Sequence, residues 1–413
     1  MSKFTDIPKF GVMSGMRLVI QAGSIAGPVI GTLGADYGAD VIWLESTKAY
    51  DTSRNHNGMA VQQNHKNQRS LALDIPGEGR GVFLELMKTT DILVEANKGG
   101  QYEKWGITDE LLWEINPKLV IVHISGFGQT GDPEYVKRPS YDVVAQAFSG
   151  FTYANTPRGE ATRVPMVMTA DFYTGLFAFG AAMAAYSNAI KTGKGESLDI
   201  AQYEVMIRFM DGFLQQEWNL PSDSHWIGVP AQYNNGAAGF SFFECADGQQ
   251  VLIMGFGASV LPKVCQLLGL PYGTDEFPVA GLYYLFSPQG QKYQAALEAW
   301  CKEHTSDEVE KIMNELGVAN CRNMEPRAML THPQYVARES IIKIPYHNGN
   351  GECYASNIVP KFKNNPGQVW RMAPAWGGDS RDILEDIGYT TEQIDELFEK
   401  KAISESEFRS LPL

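Results

Sequence analysis

The sequence predicts an α/β protein: a doubly wound parallel sheet in a large domain, with a smaller α+β domain set into it. Three observations carry this. Short apolar runs alternate with helical stretches from Arg17 to Ile124, the pattern of parallel strand–helix–strand units. Composition turns to Pro, Ser, Asn, Gly and aromatics over 221–239, which marks a domain crossing. One hairpin pattern and three helical patterns then follow before Pro333-Gln334-Tyr335 marks a return. The predicted division is a large domain over 1–222 and 335–413 and a small one over 223–334, in keeping with a 413-residue chain.

Taken in order, Arg17-Leu18-Val19-Ile20 reads as a buried strand. Ala26-Gly27-Pro28 opens a small-residue helix that runs from Val29 to Tyr37, and Val41 to Glu45 is the second strand. No G-x-G-x-x-G follows the first strand, and Glu45 alone is weak support for a dinucleotide site. Ser70–Asp74 is a further strand, Glu78–Thr89 an amphipathic helix and Asp91–Glu95 a strand. Leu111–Ile115 is helical until Asn116-Pro117 stops it, and Leu119–Ile124 is the clearest parallel strand. Ligands of such a sheet bind at strand C-terminal ends. Two loops there matter: Asn97-Lys98-Gly99-Gly100 with Lys104, and Ser125-Gly126-Phe127-Gly128-Gln129-Thr130-Gly131. Glycines admit a ligand close to the backbone and lysines hold phosphate, although tight turns with solvated lysines look the same.

A Gly/Ala-rich helix follows over Leu176–Ala189, then a turn, a strand at Ser197–Ile200 and a helix over Tyr203–Trp218. Residues 240–255 form a hairpin turning at Asp247-Gly248, and helices follow at Ala258–Leu268, Gln291–His304 and Ser306–Leu316. Tyr346–Cys353 is a polar hairpin and Lys361–Gly378 is irregular. Arg381–Ile387 is a helix stopped by Gly388, and Thr390–Lys400 is a final helix capped by its threonines.

Lys and Arg number 34 against 48 Asp and Glu, a net charge of −14. That balance argues against non-specific nucleic-acid binding and anionic membranes, so an anionic ligand needs a local basic pocket. The five cysteines are dispersed, with no Cys-x-x-Cys, and no metal-ligand spacing is present. This suits a reducing cytoplasm, as does an N-terminus without a signal-peptide core. No apolar run of 18 residues is present, so no membrane span is expected. The histidines are scattered, and His123 falls inside a strand as a packed residue rather than a base.

One acid stands apart. Asp171 lies between the apolar run Val164–Met168 and the Gly/Ala-rich helix, with no other charge from Pro165 to Asn188. Such a carboxylate either caps the helix or does chemistry. At a helix N-terminus it is expected to accept backbone N–H bonds and to stay ionised in the positive field there. An ionised carboxylate in an apolar surround is also a usable nucleophile.

Several segments together carry a resemblance. Leu33-Gly34-Ala35-Asp36-Tyr37-Gly38-Ala39-Asp40, Asn67-Gln68-Arg69-Ser70-Leu71-Ala72-Leu73-Asp74, the Ser125–Gly131 loop, Pro139-Ser140-Tyr141-Asp142 and Thr192-Gly193-Lys194-Gly195-Glu196 occur in one order across nearly the whole chain. This set resembles the class III CoA-transferases. Gly106-Ile107-Thr108-Asp109-Glu110 and His332-Pro333-Gln334-Tyr335 resemble the family's carnitine branch. The resemblance implies a Rossmann-like CoA-binding domain and a homodimer of two interlocked ring-shaped chains. It implies CoA transfer between an acyl-CoA and a small carboxylic acid, with a trimethylammonium acid expected and a short 2-hydroxy or enoyl acid as the alternative, and coenzyme A as substrate without metal or redox cofactor. Asp171 is the matching nucleophile, passing through an aspartyl anhydride and an enzyme–CoA thioester. Lys98 and Lys104 replace the family's arginines as CoA-binding groups, with Asn97, Gly126, Gly128 and Lys137 beside them. Gln68 stands where some members carry Lys, and Trp376 where a His is common. Gly255-Phe256-Gly257 is the expected covering loop, and Tyr203, Trp226, Tyr233 and Phe240 are candidates for an aromatic cage around the cation. A racemase on the same fold is disfavoured, because Tyr141 stands where that chemistry needs a histidine.

Overall fold

A computed structural model describes residues 7–55, 58–156, 160–165, 167–210, 212–219, 236–346 and 351–410. Strands run over Arg17–Gln21 (β1), Asp40–Glu45 (β2), Arg69–Leu73 (β3), Ile92–Glu95 (β4), Val120–Ser125 (β5), Glu196–Ala201 (β6), Phe240–Glu244 (β7), Gln250–Met254 (β8), Asn320–Arg322 (β9), Ile341–Pro345 (β10), Glu352–Ser356 (β11) and Ile403–Ser404 (β12). Two compact units result. One draws on Met1–Ser149, Pro165–Phe209 and Ala337–Leu413, the other on Gly150–Val164 and Met210–Val336.

The first unit is built on a seven-stranded sheet of order β12-β3-β2-β1-β4-β5-β6. Neighbours from β3 to β6 are parallel, and β12 adds an antiparallel edge to β3. The chain leaves β1 for β2 and β3 on one side, then returns to β1's other side with β4. That reversal opens a crevice at the strand ends. Both faces of the sheet are covered, so β1 to β5 are buried along nearly their whole length. Alternate residues serve opposite cores. Leu18, Ile20, Val94 and Val122 meet Ala178 and Ala182, whereas Val19, Leu93 and Ile121 meet Phe83 and Leu86.

Two helices fix the crevice. The first, Ala26–Asp36, presents glycines to the sheet: a Cβ at Gly34 would stand 2.7 Å from Leu18 Cδ2. The second is a 24-residue helix, Thr169–Thr192, stopped by Gly193 in the left-handed region at φ 75°. At Gly175 a Cβ would come within 2.5 Å of Val29 Cβ and 2.7 Å of the Ala26 carbonyl oxygen. The two helices therefore touch at backbone distance, the second turn of the long helix against the first turn of the other.

The second unit holds the antiparallel sheet β7-β8-β9. Its core gathers Phe243, Val251 and Ile253 with Val264, Leu297, Val309 and Met313 from three helices. The helix Ser306–Leu316 starts with a full capping box from Thr305 and Glu308.

The structure adjusts several sequence expectations. The long helix starts at Thr169, seven residues before Leu176, and takes Asp171 into its first turn. The single helix expected over Tyr203–Trp218 is two, Gln202–Phe209 and Gly212–Asn219; Gly212, a poor helix former, opens the second. Helices over Met59–His65 and Asp142–Phe148, two turns each, went unread. The strands of the polar hairpin are β10 and β11, while Asn348 to Asn350 lie outside the described residues. Among the described residues no helix is long and apolar enough to cross a membrane.

Candidate active site around Asp171

A cavity of about 320 Å³ lies at the C-terminal ends of the central strands. Gly23 and Ser24 reach it after β1, Asn97 and Lys98 after β4, Gly126 after β5 and Gln202 after β6. Asp171 joins them from the long helix. Ser24 holds φ 63° and its N–H donates to Asp51 Oδ2 at 3.0 Å, which fixes the turn out of β1. Gly126 has a steric reason: a Cβ there would sit 2.1 Å from Ser140 Cβ.

Asp171 is the third residue of the long helix and is 7% exposed. It does not act as the helix cap. The cap comes from elsewhere: Asp142 Oδ1 accepts the Asp171 N–H at 2.9 Å, and Gln146 Nε2 donates to Asp142 Oδ2 at 2.5 Å. The Asp171 carboxylate accepts from Gln202 Nε2 at 2.6 Å through Oδ1. Burial, then the negative charge of Asp142, push the Asp171 pKa up to about 7, against the Gln202 hydrogen bond that lowers it. The expectation of a carboxylate kept ionised by backbone N–H groups is thus corrected. Desolvation outweighs the favourable contacts, and the group titrates near neutrality.

Asp171 also borders a second cavity of about 300 Å³, lined by Ser24, Ile25, Thr52, Ala60, Val143 and Met168 among others. Its charged lining residues are both acidic, Asp142 and Asp171. The first cavity instead carries Lys98 and Arg138, the latter paired with Glu134. The carboxylate therefore stands where a cationic chamber meets an apolar one. That arrangement suits a nucleophile serving one anionic and one largely uncharged or cationic reactant, and a titration near neutrality in a desolvated surround marks functional groups.

The sequence profile of CoA-transferase family III matches residues 13–380. The chain belongs to that family. It is 40% identical over 409 residues to L-carnitine CoA-transferase of Proteus mirabilis, covering 97% of this chain and 98% of that one. It is 39% identical over 406 residues to bile acid CoA-transferase BaiK of Clostridium scindens, covering 97% and 91%. Its fold is that of a CAIB/BAIF family protein from Brucella suis, with a TM-score of 0.75, 23% identity and coverage of 92% and 100%. Rv3272 from Mycobacterium tuberculosis shares the fold at a TM-score of 0.77 and 20% identity, with coverage of 91% and 99%. The protein is accordingly a CoA-transferase, an enzyme for which CoA is a substrate.

In this family member, the residues read from sequence fall into two groups. Asp171, Asn97, Lys98 and Gly126 surround one cavity, whereas Lys104, Gly128 and Lys137 are not among its lining residues. Lys104 ends the short helix Gln101–Lys104 and Lys137 follows Pro133–Val136, both exposed. Gly128 is buried at φ 92°, and its N–H donates to Ser125 Oγ at 2.8 Å. The amide nitrogen of Asn97 is taken by Gln21 Oε1 and Glu95 Oε2. Gln68 is fully enclosed and bonds to Asn64 and His65, so it serves the core. Gly255 and Gly257 belong to the second unit, and their N–H groups donate there to Gly239 and Gly281. Of the aromatic candidates, Tyr203 joins Phe127 and Phe148 in one cluster and Phe240 lies against Phe256 in the second unit. Trp226 and Tyr233 lie outside the described residues.

Sequence reading passed over Gln202 and Arg138. Gln202 carried no motif signal beyond its place at the end of a strand, and Arg138 adjoins the Lys137 that drew attention instead. His123 is packed, as read, but not as a neutral residue. Its Nδ1 meets Glu95 Oε1 at 2.7 Å and its Nε2 meets Asp109 Oδ1 at 3.1 Å. Burial opposes the charge, yet Asp109 and Glu95 outweigh it and push His123 up to about 10. Glu95 Oε2 in turn accepts the Asn97 N–H at 2.9 Å, so the imidazolium anchors the carboxylate that shapes the Lys98 loop.

Proposed function

We propose that this enzyme moves CoA from crotonobetainyl-CoA or γ-butyrobetainyl-CoA to a free carboxylate such as L-carnitine, with Asp171 as nucleophile. The observation that carries the reading is the buried Asp171 carboxylate at the meeting of a cationic and an apolar cavity. Asp171 attacks the donor thioester and gives a mixed anhydride. The thiolate attacks the aspartyl carbonyl, releasing the first acid and leaving an enzyme–CoA thioester. The acceptor acid then displaces the thiolate, which recaptures the acceptor acyl group. Desolvation around Asp171 protects the anhydride from water.

Lys98 and Arg138 supply positive charge for the CoA phosphates. The acidic charge of the second cavity and Tyr141 at its edge favour an acid that carries a trimethylammonium group. The carnitine relative supports the same substrate. A homodimer fits the exposed apolar side chains of the long helix, Phe172, Leu176, Phe177 and Ile190, which a second copy would cover. The test is CoA exchange between crotonobetainyl-CoA and L-carnitine, with butyryl-CoA as uncharged donor. Transfer confined to the betaines supports the reading, and transfer confined to uncharged donors moves the substrate elsewhere while keeping the mechanism.

A further inference from the structure

We infer that Gln202 is a catalytic residue whose side-chain amide holds Oδ1 of Asp171 while negative charge builds on that oxygen. The inference rests on the nucleophilic role proposed above for Asp171. Gln202 Nε2 donates to Oδ1 at 2.6 Å, and Gln202 itself is buried. It starts the helix Gln202–Phe209 directly after β6, with the buried Ala201 before it and the buried Val205 and Met206 one turn on. The donor is thus fixed by a strand end rather than by a loop. The backbone amides of Gly255 and Gly257, in the loop expected to cover the site, are already spent on Gly239 and Gly281.

Occupation of Oδ1 makes the two carboxylate oxygens unequal. Oδ2 is left to attack the thioester carbon of the donor; a C–O bond forms, the C–S bond breaks, and the thiolate leaves with its electron pair. The oxyanion of that step belongs to the substrate. The thiolate then adds to Cγ of Asp171, and the π pair of Cγ–Oδ1 moves onto Oδ1, against the Gln202 N–H. Collapse restores Cγ=Oδ1, breaks Cγ–Oδ2 and releases the first acid as a carboxylate that carries Oδ2 away. The acceptor carboxylate adds to Cγ in turn, again placing charge on Oδ1, and expels the thiolate. The thiolate finally attacks the acceptor carbonyl, and Asp171 leaves as a carboxylate. No proton is gained or lost. Gln202 therefore serves the two steps at Cγ and neither step at a substrate carbonyl, as an oxyanion donor should.

The discriminating variant is Gln202→Met, which keeps side-chain length and removes the donor. Full-length wild type and variant are mixed with crotonobetainyl-CoA, and separately with butyryl-CoA, and quenched for intact-mass detection of the CoA adduct. Thiol release is followed in parallel with hydroxylamine present to capture the anhydride. Both rates are read well above pH 7, so that losing a donor that lowers the Asp171 pKa does not change its ionisation. Adduct formation in Gln202→Met is then expected to slow by about tenfold or more, and hydroxylamine-supported thiol release to slow by far less. A merely structural role would slow both together, and that result overturns the inference. Adduct formation at the wild-type rate overturns it as well. If Gln202→Met does not fold, Gln202→Asn draws the same amide back by one methylene and is held to the same criteria. Absence of a CoA adduct in wild type with either donor removes the Asp171 mechanism, and this assignment with it; the failures are thereby told apart.

Discussion

The backbone N–H of Asp171 donates to Oδ1 of Asp142 at 2.9 Å, so one buried carboxylate caps the helix that carries another. The contact frees the Asp171 side chain from capping and raises its pKa through like charge. Asp142→Asn keeps an acceptor for that N–H and removes the charge. With Asp171 as the proposed nucleophile, the acidic limb of kcat/KM is expected near pH 7 and should move to lower pH in this variant. A pH–rate profile checks it, and an unmoved limb refutes the electrostatic account.

Asp171→Asn removes the nucleophile proposed above and leaves its volume and surroundings. Transfer should fall on the order of 10³-fold or more, with CoA affinity kept. The same variant is expected to be more stable than wild type. The folded pKa of Asp171 is raised to about 7 from 3.8, so its ionisation costs stability progressively as pH rises from about 4 to about 7. The gain from Asn should grow over that window and level off above it, as denaturant unfolding at several pH values would show.

Lys98 lines the cavity, and Lys104 and Lys137 do not. Lys98→Ala should raise KM for acyl-CoA roughly tenfold with a smaller effect on kcat. Lys104→Ala or Lys137→Ala should do less. Steady-state kinetics on the three variants rank them, and an equal rise in all three would contradict the placement.

Gly175 leaves no room for a methyl group against Val29 Cβ and the Ala26 carbonyl. Gly175→Ala should destabilise the protein by about 1–3 kcal/mol, although alanine is the better helix former. Thermal unfolding reads the result; a higher Tm would mean the two helices can part at little cost.

His123 is raised to about 10 from 6.5 by its two carboxylates. Its contribution to stability is fully present below pH 6.5 and is lost as pH climbs through about 10. His123→Gln should therefore flatten the stability profile between those limits. A profile identical to wild type over that range would show that the imidazolium does not carry the interaction.

The sequence alone determined the parallel sheet, because strands buried on both faces leave continuous apolar runs such as Leu119–Val122 that no half-exposed strand would show. It also singled out Asp171, since a lone charge in an apolar stretch stands out in one dimension. Some short elements escaped: the two turns of Asp142–Phe148 are too few for a period to register, and unlike Arg381–Ile387 no glycine directly follows to mark its end. Everything that depends on neighbours distant in the chain was left to the tertiary structure. Asp142 and Gln202 lie 29 and 31 residues from Asp171, and only the crossing of helices over strand ends brings them to its amide and its carboxylate. The titration of Asp171 was settled there too, since its environment is the sum of burial, one like charge and one donor, none of them adjacent in sequence. Local pattern records which face a residue shows; the field at a buried carboxylate is set by what the fold gathers around it.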